Sequence, residues 1–282
     1  MGVDVVNDTD REVVLITGAS SGIGQACAEY LARKGYRVFG TSRRAPFPPE
    51  PAEPGEPVMV CLDVDEDASV VRLVDYLHKS VGQIDVVVNN AGFGVAGAVE
   101  DTTLDEARSQ METNFFGVVR VCQAVLPRMR ERGAGLIVNI SSLGGVIALP
   151  FQAFYSASKF AVEGFTEALR MEVKPFGVEV VLIEPGDLST GFTSGRYVCE
   201  GAGVESAYAT AFDHMLGTVE RDERNGASPE LVAPLLERII RHPAPRLRYR
   251  VGSTMQKTAA VLRRVLPDRL FEWIFMKVYG LV

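Results

Sequence analysis

Val13-Val14-Leu15-Ile16-Thr17-Gly18-Ala19-Ser20-Ser21-Gly22-Ile23-Gly24 is the stretch whose reading decides the fold. Its first four residues form a short apolar, largely β-branched run, the pattern of a strand buried on both faces. Gln25–Lys34 follows with Ala26, Ala28, Leu31 and Ala32 at helical spacing. Strand, glycine-rich turn and helix in that order are the context a dinucleotide site requires. Gly18 permits the tight turn, Gly22 lets backbone approach a pyrophosphate, and Gly24 lets helix and strand pack closely. Phosphates sit on the free amides of the first helical turn, so Ser20, Ser21 and Ile23 join the glycines as candidates.

The same alternation continues along the chain. Apolar strand runs lie near Val13–Ile16, Arg37–Gly40, Val58–Leu62, Val86–Asn89, Leu136–Ile140 and Val178–Ile183, with helical patterns at Gln25–Lys34, Ala68–Val81, Leu104–Glu131 and Tyr155–Val173 between and after them. This pattern predicts an α/β fold, a doubly wound Rossmann-type parallel sheet with helices on both faces, in a single domain. Ligands in such sheets bind beyond the carboxyl ends of the strands. The expected organisation is a tail over 1–10, a core over 11–188, a Gly-rich irregular substrate lid over 189–228 and a helical extension over 229–282. A Pro-rich loop, Ala45 to Pro57, is too short to separate domains.

A second feature stands in the helical pattern at Tyr155-Ser156-Ala157-Ser158-Lys159. Residues four apart are neighbours on a helix, so a phenol and an ammonium share one face. A nearby Lys⁺ favours the phenolate and is expected to pull the Tyr155 pKa toward the range of an acid–base catalyst.

Together these motifs resemble the short-chain dehydrogenase/reductases from about Val13 to Thr190. Thr17-Gly18-Ala19-Ser20-Ser21-Gly22-Ile23-Gly24 is similar to that family's cofactor loop, and Asn89-Asn90-Ala91-Gly92 to its strand-four signature. Ile140-Ser141-Ser142, Tyr155 with Lys159, and Pro185-Gly186 with Thr190 are similar to its further motifs. The resemblance implies a nicotinamide-dependent oxidoreductase with Asn114, Ser142, Tyr155 and Lys159 as catalytic residues. Ser142 is preferred to Ser141 because the family serine commonly lies thirteen residues before the tyrosine, and 155 − 142 = 13. Asn114 is expected to distort its helix or relay a proton through water to Lys159. Lys159 is also implied to hold the nicotinamide ribose, and Thr190 the carboxamide. The resemblance further implies that Asn90, Ala91 and Gly92 close the nicotinamide side and that Pro185, Gly186 and Leu188 contact the cofactor. Asp63 and Val64 are implied at the adenine. Within the family, the C-terminal region resembles hydroxysteroid 17-beta and retinol dehydrogenase-like members.

Strand two ends Phe39-Gly40-Thr41-Ser42-Arg43-Arg44. The acid that would accept bonds from a ribose 2′-hydroxyl is missing, and Arg43 can make charge-assisted bonds to a 2′-phosphate. NADP(H) is therefore expected over NAD(H). Phe93, Leu143, Val146, Leu149, Phe151, Leu188 and Phe192 are expected around the cavity and favour a lipophilic alcohol or carbonyl, such as a steroid or retinoid. His214 is a candidate for a distal substrate hydroxyl.

The chain has 282 residues, a net charge of −7 and 47% hydrophobic residues. A net negative chain argues against nonspecific nucleic-acid binding. Met1–Asn7 lacks the pattern of a signal peptide, and Val6 spoils a myristoylation motif. Cys27, Cys61, Cys122 and Cys199 are scattered, the first three in expected core elements, which fits reduced thiols in a cytoplasmic protein. His78, His214 and His242 are too dispersed for a metal site. The apolar, aromatic stretch Leu270–Leu281 is expected to dock on the body, with a subunit interface or a membrane surface as alternatives. A homodimer or homotetramer through the two long helices is expected. Two other classes compete with the enzyme: a non-catalytic NADP(H)-binding redox sensor, which retention of Tyr155 and Lys159 disfavours, and a membrane-surface lipid-binding protein.

Overall fold

A computed structural model describes residues 12–281; the expected tail over 1–10 lies outside them. In chain order the core elements are β1 (Val13–Ile16), α1 (Gly22–Arg33), β2 (Arg37–Ser42), β3 (Val58–Cys61), α2 (Asp67–Val81) and β4 (Val86–Asn89). There follow β5 (Val95–Ala96), α3 (Leu104–Met111), α4 (Gly117–Arg132), β6 (Gly135–Ile140), α5 (Ala153–Val173) and β7 (Val178–Pro185). The remainder is β8 (Tyr197–Val198), α6 (Ala209–Arg224), α7 (Val232–Ile240), β9 (Arg248–Val251), α8 (Thr254–Val265) and α9 (Asp268–Val278).

The main sheet is parallel throughout, in the order β3-β2-β1-β4-β6-β7-β9. The chain winds outward from β1 to β3 in one direction and from β4 to β9 in the other. The order reverses between β1 and β4, which opens a crevice at their carboxyl ends. Alternate residues of β1 serve opposite faces. Val13 and Leu15 pack with Leu73, Val121 and Leu169 from α2, α4 and α5, whereas Val14 and Ile16 pack with Leu31 and Leu236 from α1 and α7. The central strands β1, β4, β6 and β7 are buried on both sides because each face of the sheet carries a helical layer, whereas the edge strands β3 and β9 are only partly buried.

Four features depart from the sequence expectation. β9 adds a seventh strand to the main sheet, and β5 pairs with β8 in a separate two-stranded sheet. β9 has no apolar run to announce it: Arg248 and Arg250 lie against the buried carboxylate of Glu184 on β7, at 3.0 and 2.7 Å. The expected helix over Leu104–Glu131 is interrupted by a π-helical turn, Glu112–Phe116, with Asn114 buried inside it. The lid region is not irregular throughout, since α6 occupies sixteen of its residues.

All four cysteines are free; Cys27, Cys122 and Cys199 are buried, and Cys61 is only partly so. Core placement therefore falls to Cys199 rather than to Cys61. Cys199 fills the space beside Gly97, where a side chain would collide with its sulfur.

Candidate active site

At the switch point, Thr17 and Asn90 clip β1 to β4. Thr17 Oγ1 accepts the amides of Asn90 and Ala91 at 2.9 and 3.0 Å. Asn90 Nδ2 donates to the carbonyls of Thr17 and Gly18, at 2.9 and 3.0 Å. Gly18 takes φ +64°, and a Cβ there would stand 2.8 Å from the Ala91 Cα; both conformation and space exclude a side chain. Gly24 is buried and packs against the Asn90 amide and the Gly18 carbonyl, so it shapes the loop without facing the cavity. Ser21 is the N-cap of α1 but makes no side-chain cap bond. The first-turn amides are thus left for a phosphate, and this end of the site fits a dinucleotide.

The cavity beyond the sheet measures about 1270 Å³. Gly18, Ser20, Ser21, Gly22 and Ile23 line one end, with Arg43, Asp63 and Val64 nearby. The Asp63 Oδ1 accepts the Asp65 amide at 3.1 Å, and the N-cap position of α2 falls to Glu66, which makes no side-chain cap bond. Asn90, Ala91, Gly92 and Asn114 line the middle. Pro185, Gly186, Leu188 and Thr190 also line the cavity; Thr190 lies beside Gly22, where a Cβ would meet its side chain at 3.5 Å, and its hydroxyl accepts the Phe192 amide at 3.2 Å.

Ser142, Tyr155 and Lys159 converge where β6 meets α5. The Lys159 ammonium donates to the Ile140 carbonyl at 2.9 Å and lies 6.0 Å from the Tyr155 ring centroid. Tyr155 is flanked by Phe192, ring centroids 5.5 Å apart, and by Gly144, where a Cβ would come within 3.1 Å of the ring. The Ser142 hydroxyl accepts the Gly144 amide at 3.0 Å, which fixes the turn that supports the ring. Asn114 lies behind them. Its Oδ1 accepts the Phe93 amide, while its Nδ2 donates to the Phe93 carbonyl and to Ser158 Oγ, at 3.0, 3.0 and 3.1 Å. The π-turn aims Asn114 at this loop, a use typical of such turns.

Burial dominates the titration here. It pushes the Tyr155 phenol up to about 12, against the lowering pull of the neighbouring Ser142 hydroxyl. It draws Lys159 down to about 8, against the opposing field of Glu163. The phenol is therefore not brought toward neutral pH as expected: desolvation of the ring oxygen dominates, and the largest lowering influence is Ser142.

Of the apolar residues expected around the cavity, Phe93, Leu143, Leu149, Leu188 and Phe192 line it. Phe151 does not. It adopts φ +56° and packs its ring on Tyr208 and Phe212, tying the core to α6. Val146 turns instead toward the cluster under α8 and α9. His214 is exposed on α6 and packs beside Gly280, outside the cavity. A helical residue faces one side only, and here Phe212, Met215 and Val219 take the inner one.

The sequence reading missed a charged group at the substrate end. Asp187, Asp222 and Glu223 line the cavity, and Glu223 is ion-paired with Arg196. Burial, then Glu223 and Asp222, push Asp187 up to about 6. Gln256, Ala259, Phe275 and Tyr279 reach the cavity from α8 and α9. Asp187, directly after Pro185-Gly186, was the one available signal; the others come from distant segments. Below the site, Asn89 Nδ2 donates to Asn139 Oδ1 and Asn139 Nδ2 to Thr166 Oγ1, both at 2.8 Å. This buried chain ties β4, β6 and α5 together.

Comparison with known proteins places the chain in a family. The family model described as short chain dehydrogenase matches residues 12–197. A 3-ketodihydrosphingosine reductase from Bacteroides thetaiotaomicron is 43% identical, over 96% of this chain and 98% of its own length. Retinol dehydrogenase 8 from Bos taurus is 36% identical, over 92% of this chain and 90% of its own. The crystal structure of a short-chain dehydrogenase from Streptomyces avermitilis superposes with a TM-score of 0.80 at 32% identity, covering 95% of this chain and 98% of that one. The chain is an oxidoreductase of the short-chain dehydrogenase/reductase family.

Proposed function

We propose that this protein reduces a ketone on a lipophilic substrate, using NADPH, and runs the reverse oxidation with NADP⁺. The observation that carries the reading is the convergence of Ser142, Tyr155 and Lys159 at one wall of a cavity whose other end is the glycine-rich loop. A bound nicotinamide dinucleotide supplies or accepts the hydride. Tyr155 gives the proton to the substrate oxygen, and Ser142 hydrogen-bonds the same oxygen as charge develops on it. A phenol held at about 12 is protonated at neutral pH, the state a donor in reduction needs. Lys159 places its positive charge beside the phenol and holds the ribose hydroxyls. Asn114 positions the Phe93 loop and α5 rather than meeting substrate.

The preference for NADP(H) is supported by Arg43, which lines the cavity at the end of β2 where an acid would select NAD(H). The apolar side chains Phe93, Leu143, Leu149 and Phe192 support a bulky, lipophilic ketone. So does the name of the Bacteroides relative, a 3-ketodihydrosphingosine reductase. The carboxylates of Asp187, Asp222 and Glu223 outnumber Arg196, which suits a substrate with a polar or cationic group near its ketone better than an anionic one. The lid role belongs to residues 189–228, whose α6 carries Asp222 and Glu223 against the cavity.

We also infer a homodimer or tetramer built on α4 and α5. Phe116, at the start of α4, and Phe160 on α5 are both exposed large aromatics, while Val119 and Phe165 are half-buried and Leu169 belongs to the core.

The decisive experiment is a panel of ketones and alcohols followed by nicotinamide absorbance with both cofactors. Consumption of NADPH with long-chain or polycyclic ketones is the expected result. Turnover confined to small hydrophilic sugars, or to NADH, would overturn the corresponding part of the proposal.

A further inference from the structure

The C-terminal helices α8 and α9 each present two different faces. On α9, Phe271, Phe275 and Tyr279 recur at four-residue spacing and turn inward. Phe271 and Phe275 stack at 5.4 Å, and Phe275 meets Tyr279 at 4.9 Å. Phe275 and Tyr279 reach the catalytic cavity, joined there by Gln256 and Ala259 of α8. This face is already partnered.

The opposite face of α9 carries Leu270, Trp273, Ile274 and Val278 in the open, with Trp273 52% exposed. α8 exposes Met255, Val261, Leu262 and Val265, the last 69% exposed. Scattered exposed apolar residues need no explanation, but stripes on consecutive helices do. Basic residues accompany both stripes: Lys257 and Arg264 flank the one on α8, and Arg269 and Lys277 that on α9. The Lys277 ammonium lies 4.4 Å from the Trp273 ring centroid.

Charge decides among occupants. From Thr254 to Leu281 there are five basic side chains against two acidic ones, a local balance of +3 in a chain whose total is −7. Arg263 is neutralised by Asp268 at 2.6 Å, yet Lys257, Arg264, Arg269 and Lys277 enter none of the ion pairs found among the described residues. A second copy of this surface would bring like charges together, whereas an acidic lipid surface complements them. Helices with an apolar stripe, flanking basic residues and an aromatic lie in the plane of a lipid interface. Among the described residues no helix is long and apolar enough to cross a membrane. That leaves surface attachment.

We propose that the outer faces of α8 and α9 seat this protein on an anionic phospholipid surface. Seating there brings the cavity lined by their inner faces close to the lipid, so that a lipophilic substrate can pass without crossing water. The attachment itself does not depend on the substrate reading.

The protein reports on its own docking, because Trp273 is its only tryptophan. The full chain is titrated with vesicles of phosphatidylcholine alone, or of phosphatidylcholine mixed with phosphatidylglycerol, and followed by tryptophan emission and co-sedimentation. A blue shift and binding at least about tenfold tighter to the anionic vesicles, weakened by salt, is the expected result. Reversing Arg264→Glu, Arg269→Glu and Lys277→Glu together should abolish binding while leaving turnover of a water-soluble ketone unchanged. Absence of binding to the anionic vesicles would overturn the proposal. So would a blue shift that follows protein concentration without vesicles and is lost, together with part of the light-scattering mass, in the triple reversal, which would assign the surface to a second copy. Binding is read without turnover, so failure of the substrate proposal leaves this test intact.

Discussion

Gln256, in the first turn of α8, donates a hydrogen bond from its amide nitrogen to the Asp187 carboxylate just beyond β7. The same side chain closes the capping box of α8 by accepting the Ser253 amide at 3.2 Å. One residue therefore anchors the C-terminal extension to the catalytic cavity. The approach is close because Gly186 has no side chain: a Cβ there would collide with the Gln256 amide oxygen.

The cost of holding Asp187 beside Glu223 and Asp222 should be measurable. Its folded-state pKa is raised from 3.8 to about 6, so the fold favours the neutral acid. Stability from this group is fully present below about pH 4 and is lost as pH rises through about 6. Asp187→Asn, which keeps the acceptor for Gln256, should stabilise the protein by roughly 1–3 kcal/mol at pH 7.5, with the gain vanishing near pH 4. Thermal melts at the two pH values check this, and an equal gain at both would refute it.

Lys159 has the opposite sign. Its pKa is lowered from 10.5 to about 8 by burial, so folding penalises the charged form at neutral pH, and the penalty is relieved as pH climbs from about 8 to 10.5. Lys159→Met should abolish reduction yet stabilise the fold by roughly 1–3 kcal/mol at pH 7, less the lost bond to Ile140. In the wild-type protein, reductase activity should fall above about pH 8 as the ammonium loses its proton. A flat rate up to pH 10 would contradict the assigned role.

Tyr155→Phe should keep the fold, since the ring still packs between Gly144 and Phe192, while turnover drops by roughly 10²–10⁴. Ser142→Ala should lower kcat by about 10² with less effect on cofactor affinity. Steady-state kinetics with calorimetric cofactor binding separates the two effects.

Arg43→Ala should weaken NADPH by about one to two decades, the worth of a charge-assisted bond of roughly 1.5–3 kcal/mol, and leave NADH almost unchanged. Equal losses for both cofactors would show that Arg43 does not contact the 2′-phosphate.

Phe116→Glu with Phe160→Glu should convert the proposed oligomer to single chains, because buried unpaired carboxylates at an apolar interface are strongly disfavoured. Light scattering at low micromolar concentration tests it; a wild-type mass near one chain would already refute the oligomer.

By itself the sequence determined the strand–turn–helix at Val13–Arg33, six of the seven main-sheet strands, and the candidates Ser142, Tyr155 and Lys159. Apart from Ser142, which rests on the family resemblance and its thirteen-residue spacing to Tyr155, these rest on local rules: a buried strand must be apolar, a turn at φ +64° favours glycine, and residues four apart on a helix are neighbours. Tertiary structure decided the rest. β9 reads as charged because its arginines answer Glu184, a residue sixty-odd positions away. Phe151 and His214 looked like substrate contacts by proximity in sequence, but helix phase and the packing of α6 turned them elsewhere. Asp187, Glu223, Gln256 and Tyr279 meet only because β7, α6, α8 and α9 end at one cavity. Local pattern constrains which element a residue joins, whereas long-range packing alone decides which side chains share a desolvated site and so how they titrate.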